Sequence, residues 1–126
     1  MVTAITEGIK VSVETEYQEQ HSRPFHHVFT YRITIENHSE FTIQLLRRHW
    51  FIYDSDGSKR EVEGEGVVGQ QPMLEPGNSY SYVSGCNLTT SMGKMLGTYL
   101  MERYLDGRKF KVQIPEFLLI ASFLLN

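Results

Sequence analysis

Short segments in which apolar and polar residues alternate recur along this chain, and they constrain its fold more than any other feature. Residues 9–17 place their apolar side chains at odd positions and their charges at even ones. A period of two residues predicts a β-strand with one buried face. Residues 28–36 repeat the pattern, and their inward-facing side chains are predicted to be Phe29, Tyr31, Ile33 and Ile35.

In a third segment, residues 42–53, the alternation of apolar and polar residues changes phase part-way along. Its early apolar residues Ile43 and Leu45 share one face, whereas the later ones, Leu46 and Trp50 among them, lie on the other. One extra residue in a strand reverses the facing of everything after it, so a β-bulge near Leu45 and Leu46 would reconcile the two sets. Trp50 is then predicted to enter the core.

Four further segments carry shorter strand patterns, at residues 60–63, 79–83, 94–101 and 109–114. Residues 85–93 are predicted to be irregular, and Pro115 is predicted to end the last ladder because it lacks an N–H donor. Six or seven strands at spacings of about 10 residues predict an all-β, immunoglobulin- or fibronectin type III-like antiparallel β-sandwich of about seven strands. No linker or repeat divides residues 1–126, which are predicted to form a single domain.

Composition and charge exclude several classes of partner. The chain carries a formal charge of −3 at pH 7, whereas a non-specific nucleic-acid binder needs a basic surface to neutralise phosphates. The longest apolar run, residues 117–125, is interrupted by Ser122 and is too short to span a bilayer. We therefore predict neither a nucleic-acid partner nor a membrane partner.

The single cysteine, Cys86, bears on both compartment and chemistry. It cannot form an internal disulfide, and no signal segment opens the chain, so a cytoplasmic location is predicted. No histidine or basic residue stands beside it in the sequence to stabilise a thiolate, so a buried, unreactive thiol is the favoured role. Ser84 and Ser91 lack the G-x-S-x-G setting of an acyl-transfer nucleophile.

A glycine-rich segment, residues 64–72, matches G-x-G-x-x-G through Gly64, Gly66 and Gly69. In dinucleotide-binding folds this pattern precedes a helix whose N-terminus faces a pyrophosphate. Here Pro72 and the turn after it exclude that helix, and no acidic residue stands about 20 positions further on to hold a ribose. The segment is therefore predicted to be a loop between strands. Either its N–H groups form an anion-binding nest, or its glycines allow positive φ angles in a tight connection.

Two arginines, Arg47 and Arg48, precede Trp50 in an otherwise apolar strand. Adjacent strand residues point to opposite faces, so one arginine must point toward the less solvated face or a neighbouring loop. If it lies beside residues 64–69, its guanidinium and the loop N–H groups together suit a phosphate or carboxylate. The favoured alternative is structural, with the arginine pairing with a glutamate or capping loop carbonyls.

Candidate metal ligands are scattered. Of the five histidines only His26 and His27 are adjacent, and their side chains would point to opposite faces of a strand. Three glutamates alternate on one side of a predicted strand, where they could hold a divalent ion, although such a row more often forms a solvated edge: Glu61, Glu63 and Glu65. We favour the edge and predict no metal site and no cofactor.

Four motifs stand out when the chain is taken as a whole. They are HWFIYD at residues 49–54, the glycine segment continuing to Pro76 and Gly77, Y-x-S-G-C-x-L-x-T-x-x-G-x-M-x-G-x-Y-x-M at 82–101, and F-x-V-x-I-P-x-F at 110–117. In this order and spacing they closely resemble the bacterial ApaG family. The resemblance runs from about Thr6 to Leu119, which is nearly the full chain.

The resemblance implies a fibronectin type III-like sandwich and a stand-alone bacterial protein. Similar domains occur in eukaryotic F-box proteins and in a polymerase-delta-interacting protein, where the domain resembles a protein-interaction unit. The resemblance also implies a link with cobalt and magnesium tolerance, and the family's pyrophosphate-binding suggestion falls on Gly64, Gly66 and Gly69. It brings no established catalytic residues. The apolar tail after Phe117 departs from the family and is predicted to pack as a final strand or at a subunit contact.

Two functional hypotheses from different classes follow. In the favoured one, the chain is a non-catalytic binding module that contacts a protein partner or a second copy of itself. It is not an enzyme in this hypothesis, since no nucleophile, base and orienting group are recognisable together. In the alternative, it is an accessory protein that binds phosphate, pyrophosphate or a nucleotide through residues 64–69 with Arg47 or Arg48.

Overall fold

The computed structural model describes residues 1–125, and these residues form nine β-strands and two short 3₁₀ helices. The strands are β1 (Val2–Thr6), β2 (Ile9–Tyr17), β3 (His27–Asn37), β4 (Ile43–Asp54), β5 (Lys59–Glu65), β6 (Met73–Leu74), β7 (Ser79–Leu88), β8 (Met92–Arg103) and β9 (Lys109–Ile120). The 3₁₀ helices span Glu19–His21 and Ser122–Leu125. No helix within residues 1–125 is long and apolar enough to cross a membrane.

The strands form two antiparallel sheets that pack face to face. One sheet has the strand order β1-β2-β3-β7, and the other has β5-β4-β8-β9 with β6 paired to β4. The predicted immunoglobulin- or fibronectin type III-like sandwich is confirmed. The sequence prediction omitted β1 and β6, because β1 buries no side chain and β6 buries only one. Neither strand therefore shows the alternation on which the prediction depends.

The core lies between the sheets and is centred on Trp50 of β4, whose exposed fraction is 3%. Its ring packs edge-on against Tyr31, with ring centroids 5.5 Å apart, and against Phe117 at 5.8 Å. Such aromatic pairs add about 0.5–1.5 kcal/mol each beyond the burial of apolar area. The predicted inward-facing residues of β3 are all buried, which confirms that facing: Phe29, Tyr31, Ile33 and Ile35.

The predicted bulge in β4 is confirmed. Leu45 pairs with Met101 of β8, and Arg47 pairs with the next residue, Leu100, so Leu46 has no counterpart. This extra residue puts Trp50 on the same inner face as Leu45 despite their odd separation. The bulge also decides which face of the sheet each side chain between Leu45 and Trp50 points toward.

The predicted irregular segment at residues 85–93 is wrong, because β7 continues to Leu88 and β8 begins at Met92. The short connection is held by the carboxylate of Asp54, which accepts hydrogen bonds from the backbone N–H groups of Thr89 at 2.7 Å and Thr90 at 3.2 Å. These partners come from another strand, so the local sequence does not reveal them.

The predicted end of the last ladder at Pro115 is also wrong, because β9 runs through it to Ile120. Gly97 of β8 pairs with Ile114 and Met95 pairs with Phe117, so the pairing shifts register at Pro115. A proline in such an irregularity removes no ladder hydrogen bond. The apolar tail therefore begins as the end of the final strand, which was one of its two predicted roles.

The edge strands of the two sheets meet on two sides of the sandwich, and the sheets are joined more closely on one side than on the other. At the closed flank, between β1 and β9, the Gln113 N–H donates to Thr6 Oγ1 at 3.1 Å. At the open flank, between β5 and β7, the hydrogen bonds within residues 1–125 come from one side chain, that of Arg60. Its Nη2 donates to the carbonyl oxygen of Asn87 at 2.5 Å.

Candidate functional site

The glycine loop is a tight connection stabilised by its own backbone. The Val67 N–H donates to the Gln70 carbonyl at 2.8 Å, and the Gln70 N–H donates back to Val67 at 2.9 Å. Val68 and Gly69, between them, both have positive φ angles, 47° and 76°. This is the geometry of a two-residue type I′ turn. The loop is therefore a reversal between strands, as predicted.

Three N–H groups of the loop already have backbone partners. Besides those of Val67 and Gln70, the Gly66 N–H donates to the Leu46 carbonyl at 2.8 Å. An anion-binding nest needs several N–H groups that converge on an empty position. The binding of an anion by the loop remains a prediction, and the N–H groups of these three residues could join it only by giving up their present bonds.

Glycine stands at each of the three motif positions for a different structural reason. Gly66 has a φ of +65°, and a Cβ there would lie 2.3 Å from the Gln70 carbonyl oxygen. Gly69 has a φ of +76° but open space where its Cβ would be. Gly64 has no unusual φ, yet a Cβ there would meet the Arg48 guanidinium at 3.0 Å. The motif thus combines a close backbone approach, a turn position and room for an arginine.

The structure separates the two candidate arginines. Arg48 shares the inner face of β4 with Trp50, and its Nη1 donates to the carbonyl oxygens of Glu65 at 2.9 Å and Gly66 at 3.1 Å. Arg47 lies on the opposite face of the strand. Arg48 is therefore the arginine beside the glycine loop, and it makes the carbonyl-capping contacts of the structural alternative.

A cleft of about 380 Å³ opens at the open flank, and we name it the flank cleft. Its walls come from β5, β7 and the glycine loop, and β3, β4 and β8 contribute its floor together with Val67 of that loop. Two of its lining residues are charged, Arg48 and Arg60, and within the described part of the chain no carboxylate lines it. The floor is apolar, with Trp50 and Met95 buried there.

Neutral polar groups stand beside the two arginines. Burial raises the pKa of the Tyr31 hydroxyl, although the Ser84 hydroxyl and the charge of Arg48 act in the opposite direction. Burial likewise raises the pKa of the Cys86 thiol, against the charge of Arg60, whose Nη2 lies 3.5 Å from the sulfur. Cys86 is buried, as predicted. Its protonated thiol is a poor nucleophile at neutral pH.

A second polar cluster lies on the outer face of β4 and β5. His49 Nε2 is 3.0 Å from a Glu61 carboxylate oxygen, and ligand atoms of these two residues and Glu63 lie within 4.8 Å of one another. The predicted exposure of the glutamate row on an edge strand is confirmed. Such exposed clusters commonly occur without an ion, and the absence of a metal site stays a prediction.

Sequence reasoning missed the residues that complete the flank cleft and the polar cluster on the outer face of β4 and β5. His49 joins the glutamates because strand pairing puts it opposite Glu63. Arg60 reaches the flank cleft because it shares the inner side of β5 with Val62, and this facing is visible in the alternation of residues 60–63. Tyr31 and Cys86 lie in the other sheet and meet the two arginines only when the two sheets pack, which leaves no local signal.

Comparisons with known proteins agree with the motifs and the fold. A sequence family described as the ApaG domain matches residues 17–103. A protein named Protein ApaG from Brucella canis is 50% identical over 119 residues, which cover 93% of this chain and 91% of that protein. Protein ApaG from Anaeromyxobacter dehalogenans is 45% identical over the full length of both chains.

A solved structure shows the same architecture. A protein from Bordetella pertussis, 43% identical in sequence, superimposes with a TM-score of 0.87 and covers 90% of this chain and 93% of its own. The domain match covers well over half of the chain, and the sequence relatives match it nearly end to end. This chain therefore belongs to the ApaG family.

Proposed function

We propose that this protein is a non-catalytic binding module that joins a partner protein through the free edge of β7. The observation that carries the proposal is the contrast between the edge strands of the sandwich. β7 has ten residues, SYSYVSGCNL, with no charge among them. Edge strands are usually protected from pairing with other chains by charges, prolines or a covering element.

The other edges have such protection. On the same flank, β5 carries five charged residues among its seven, KREVEGE. On the closed flank, β1 and β9 lie against each other, and the Glu7 carboxylate forms an ion pair with Arg108 at 2.8 Å across them. The unprotected edge of β7 is therefore suited to accept an additional strand.

Strand addition explains how such an edge recognises a partner. Backbone N–H and C=O groups supply the affinity, and alternate side chains supply the specificity. On β7 the outward-facing side chains are small or uncharged, and Val83 is 46% exposed at the middle of the strand. A second copy of this chain can pair in the same way, since antiparallel self-pairing of β7 brings no like charges together.

The chemistry of the described residues supports a role without catalysis. The Cys86 thiol contacts Arg60 rather than a histidine, and its pKa is raised. The Asp54 carboxylate is engaged by loop N–H groups of the 89–91 connection. In this proposal the single domain acts in the cytoplasm, and its link with cobalt and magnesium tolerance passes through the partner.

Site-specific photo-crosslinking in the native cells tests the proposal. A benzophenone side chain replaces Val83 on β7, and the matched control places it at Gln113, an exposed position on the edge strand of the closed flank. We expect one discrete adduct from position 83, identified by mass as a partner protein or as a second copy. Adding Ser81→Lys should abolish it, because a lysine on the edge opposes strand pairing.

Two results would refute strand addition. One is the same adduct from positions 83 and 113, which would show that the crosslinks are not specific to β7. The other is an adduct from position 83 that survives Ser81→Lys. Circular dichroism and the thermal midpoint of each variant establish that the sandwich is intact, since all three substituted side chains, at positions 81, 83 and 113, are exposed.

A further inference from the structure

We propose that the flank cleft binds a small molecule that carries a carboxylate or phosphate group on an apolar body. The cleft lies between β5 and β7 and reaches the edge of β7 at Val83, Gly85 and Asn87, where a partner strand would pair. The proposal nevertheless stands on a separate observation, which is the pair of arginines that line the cleft without a carboxylate.

Charge is the first argument. The protein has fifteen acidic residues and a net charge of −3, yet the two charged residues of the flank cleft are both arginines. Within residues 1–125 neither Arg48 nor Arg60 lies in an ion pair with a carboxylate. Arg48 is partly buried, whereas Arg60 is exposed. A partly buried guanidinium is stabilised by an anionic partner, and an oxyanion is the group its geometry fits.

The hydrogen bonds that Arg48 makes leave two of its N–H donor groups available for a ligand. Its Nη1 is occupied by the carbonyl oxygens of Glu65 and Gly66, while Nε and Nη2 make no hydrogen bond to the described part of the chain. These two N–H groups lie side by side and can bind two oxygens of one carboxylate or phosphate. The bonds through Nη1 fix the orientation of the guanidinium before any ligand arrives.

Gly64 contributes to the same arrangement. Its φ does not require glycine, but a Cβ at this position would lie 3.0–3.2 Å from three atoms of the Arg48 guanidinium. The missing side chain therefore lets the guanidinium lie against the backbone of β5. The first glycine of the motif thus serves the cleft through Arg48, whereas Gly66 and Gly69 serve the turn.

The remaining surface of the cleft suits an apolar body. Trp50, Val67 and Met95 are each at most 3% exposed and form the floor, and the Tyr31 and Ser84 hydroxyls stand at the side. A volume of about 380 Å³ is near the lower end of the range for ligand pockets, so the ligand is a small one. Inorganic phosphate alone would leave the apolar floor uncovered.

An NMR titration of the full chain tests the proposal with three probes: phenyl phosphate, benzoate and inorganic phosphate, each against a chloride control at constant ionic strength. We expect saturable shifts of the Arg48 Nε–H signal and of the Ser84 and Gly85 amides, with phenyl phosphate or benzoate at least tenfold tighter than inorganic phosphate. The tighter of these two identifies the anionic group.

Paired variants assign the binding to the cleft. Arg48→Lys keeps the charge but loses the pair of donors, and we expect at least tenfold weaker binding. The matched control, Arg47→Lys, changes the neighbouring residue on the opposite face and should leave the dissociation constant unchanged. Because Arg48 also holds the loop, Arg60→Gln at an exposed position is a second variant, with an expected threefold to tenfold loss.

The proposal is overturned if the organic probes give no saturable shifts, if inorganic phosphate binds as tightly as they do, or if neither Arg48→Lys nor Arg60→Gln weakens binding. The two proposals remain distinguishable. Ser81→Lys, on the outer face of β7, should abolish the partner adduct and leave the titration unchanged, so either proposal can fail without the other.

Discussion

Two glycines of the same loop should differ sharply in their tolerance of a side chain. Gly66 and Gly69 have similar φ angles, +65° and +76°, so alanine at either position adopts the left-handed region. Only Gly66 also meets the backbone, with its Cβ position 2.3 Å from the Gln70 carbonyl oxygen. Comparing Gly66→Ala with Gly69→Ala therefore separates the loss of stability caused by the backbone contact from the loss caused by the positive φ angle.

The magnitudes follow from the contacts. The left-handed conformation costs alanine about 1 kcal/mol relative to glycine, and this term is common to both variants. Ordinary contact begins near 3.4 Å, so alanine at 66 must displace the Gln70 carbonyl by about 1 Å and break the two hydrogen bonds of the turn. At about 1 kcal/mol each, these bring the total for Gly66→Ala to about 3 kcal/mol.

Equilibrium urea unfolding measures both values on the same protein. With an m-value of about 2 kcal/mol/M, the midpoint should fall by about 0.5 M for Gly69→Ala and by about 1.5 M for Gly66→Ala. Equal shifts of the two midpoints would refute the reasoning, because the backbone contact would then contribute nothing. A midpoint unchanged in both variants would show that the loop forms without the positive φ angles.

Two further predictions concern stability. Tyr82 and Tyr99 share a buried hydrogen bond between their hydroxyls. Tyr82→Phe leaves the fully buried Tyr99 hydroxyl unpaired and should cost about 1–3 kcal/mol, while the double Phe variant should cost less than the sum of the single variants. A double-mutant cycle in urea decides this, and additive effects would contradict it. Asp106 has its pKa lowered from 3.8 to about 2, chiefly by its hydrogen bond with Arg103. The carboxylate is therefore favoured in the folded state, so the wild type should be more stable than Asp106→Asn above pH 3.8 and should lose this advantage as the pH falls toward 2. A stability difference that stays constant across this range would show that the ion pair is not formed in solution.

Local patterns were sufficient for much of the fold. Alternation identified β2 and β3 and the side chains they bury, and the phase change in β4 located the bulge after Leu45. Local patterns failed where contacts with residues distant in the sequence override the local signal. The carboxylate of Asp54 orders the connection after β7, and the register shift in β9 accommodates Pro115.

The candidate sites depended more strongly on strand pairing. Residues 64–69 are recognisable in the sequence, and the sequence limits the inward-facing arginine to Arg47 or Arg48. The bulge, combined with the position of the loop, then selects Arg48. The flank cleft has no sequence signature, because Arg48, Arg60 and Tyr31 lie on three strands and meet only when two sheets pack.

The sequence by itself determined seven of the nine strands found within residues 1–125, the buried face of β3, the turn chemistry and the family. The physical reason is that side-chain alternation and positive φ angles are properties of a few neighbouring residues. Only the tertiary structure decided which flank stays open, which arginine faces the loop and that His49 stands beside Glu61 and Glu63. These depend on strand order and register between residues far apart in the chain, which no local pattern encodes.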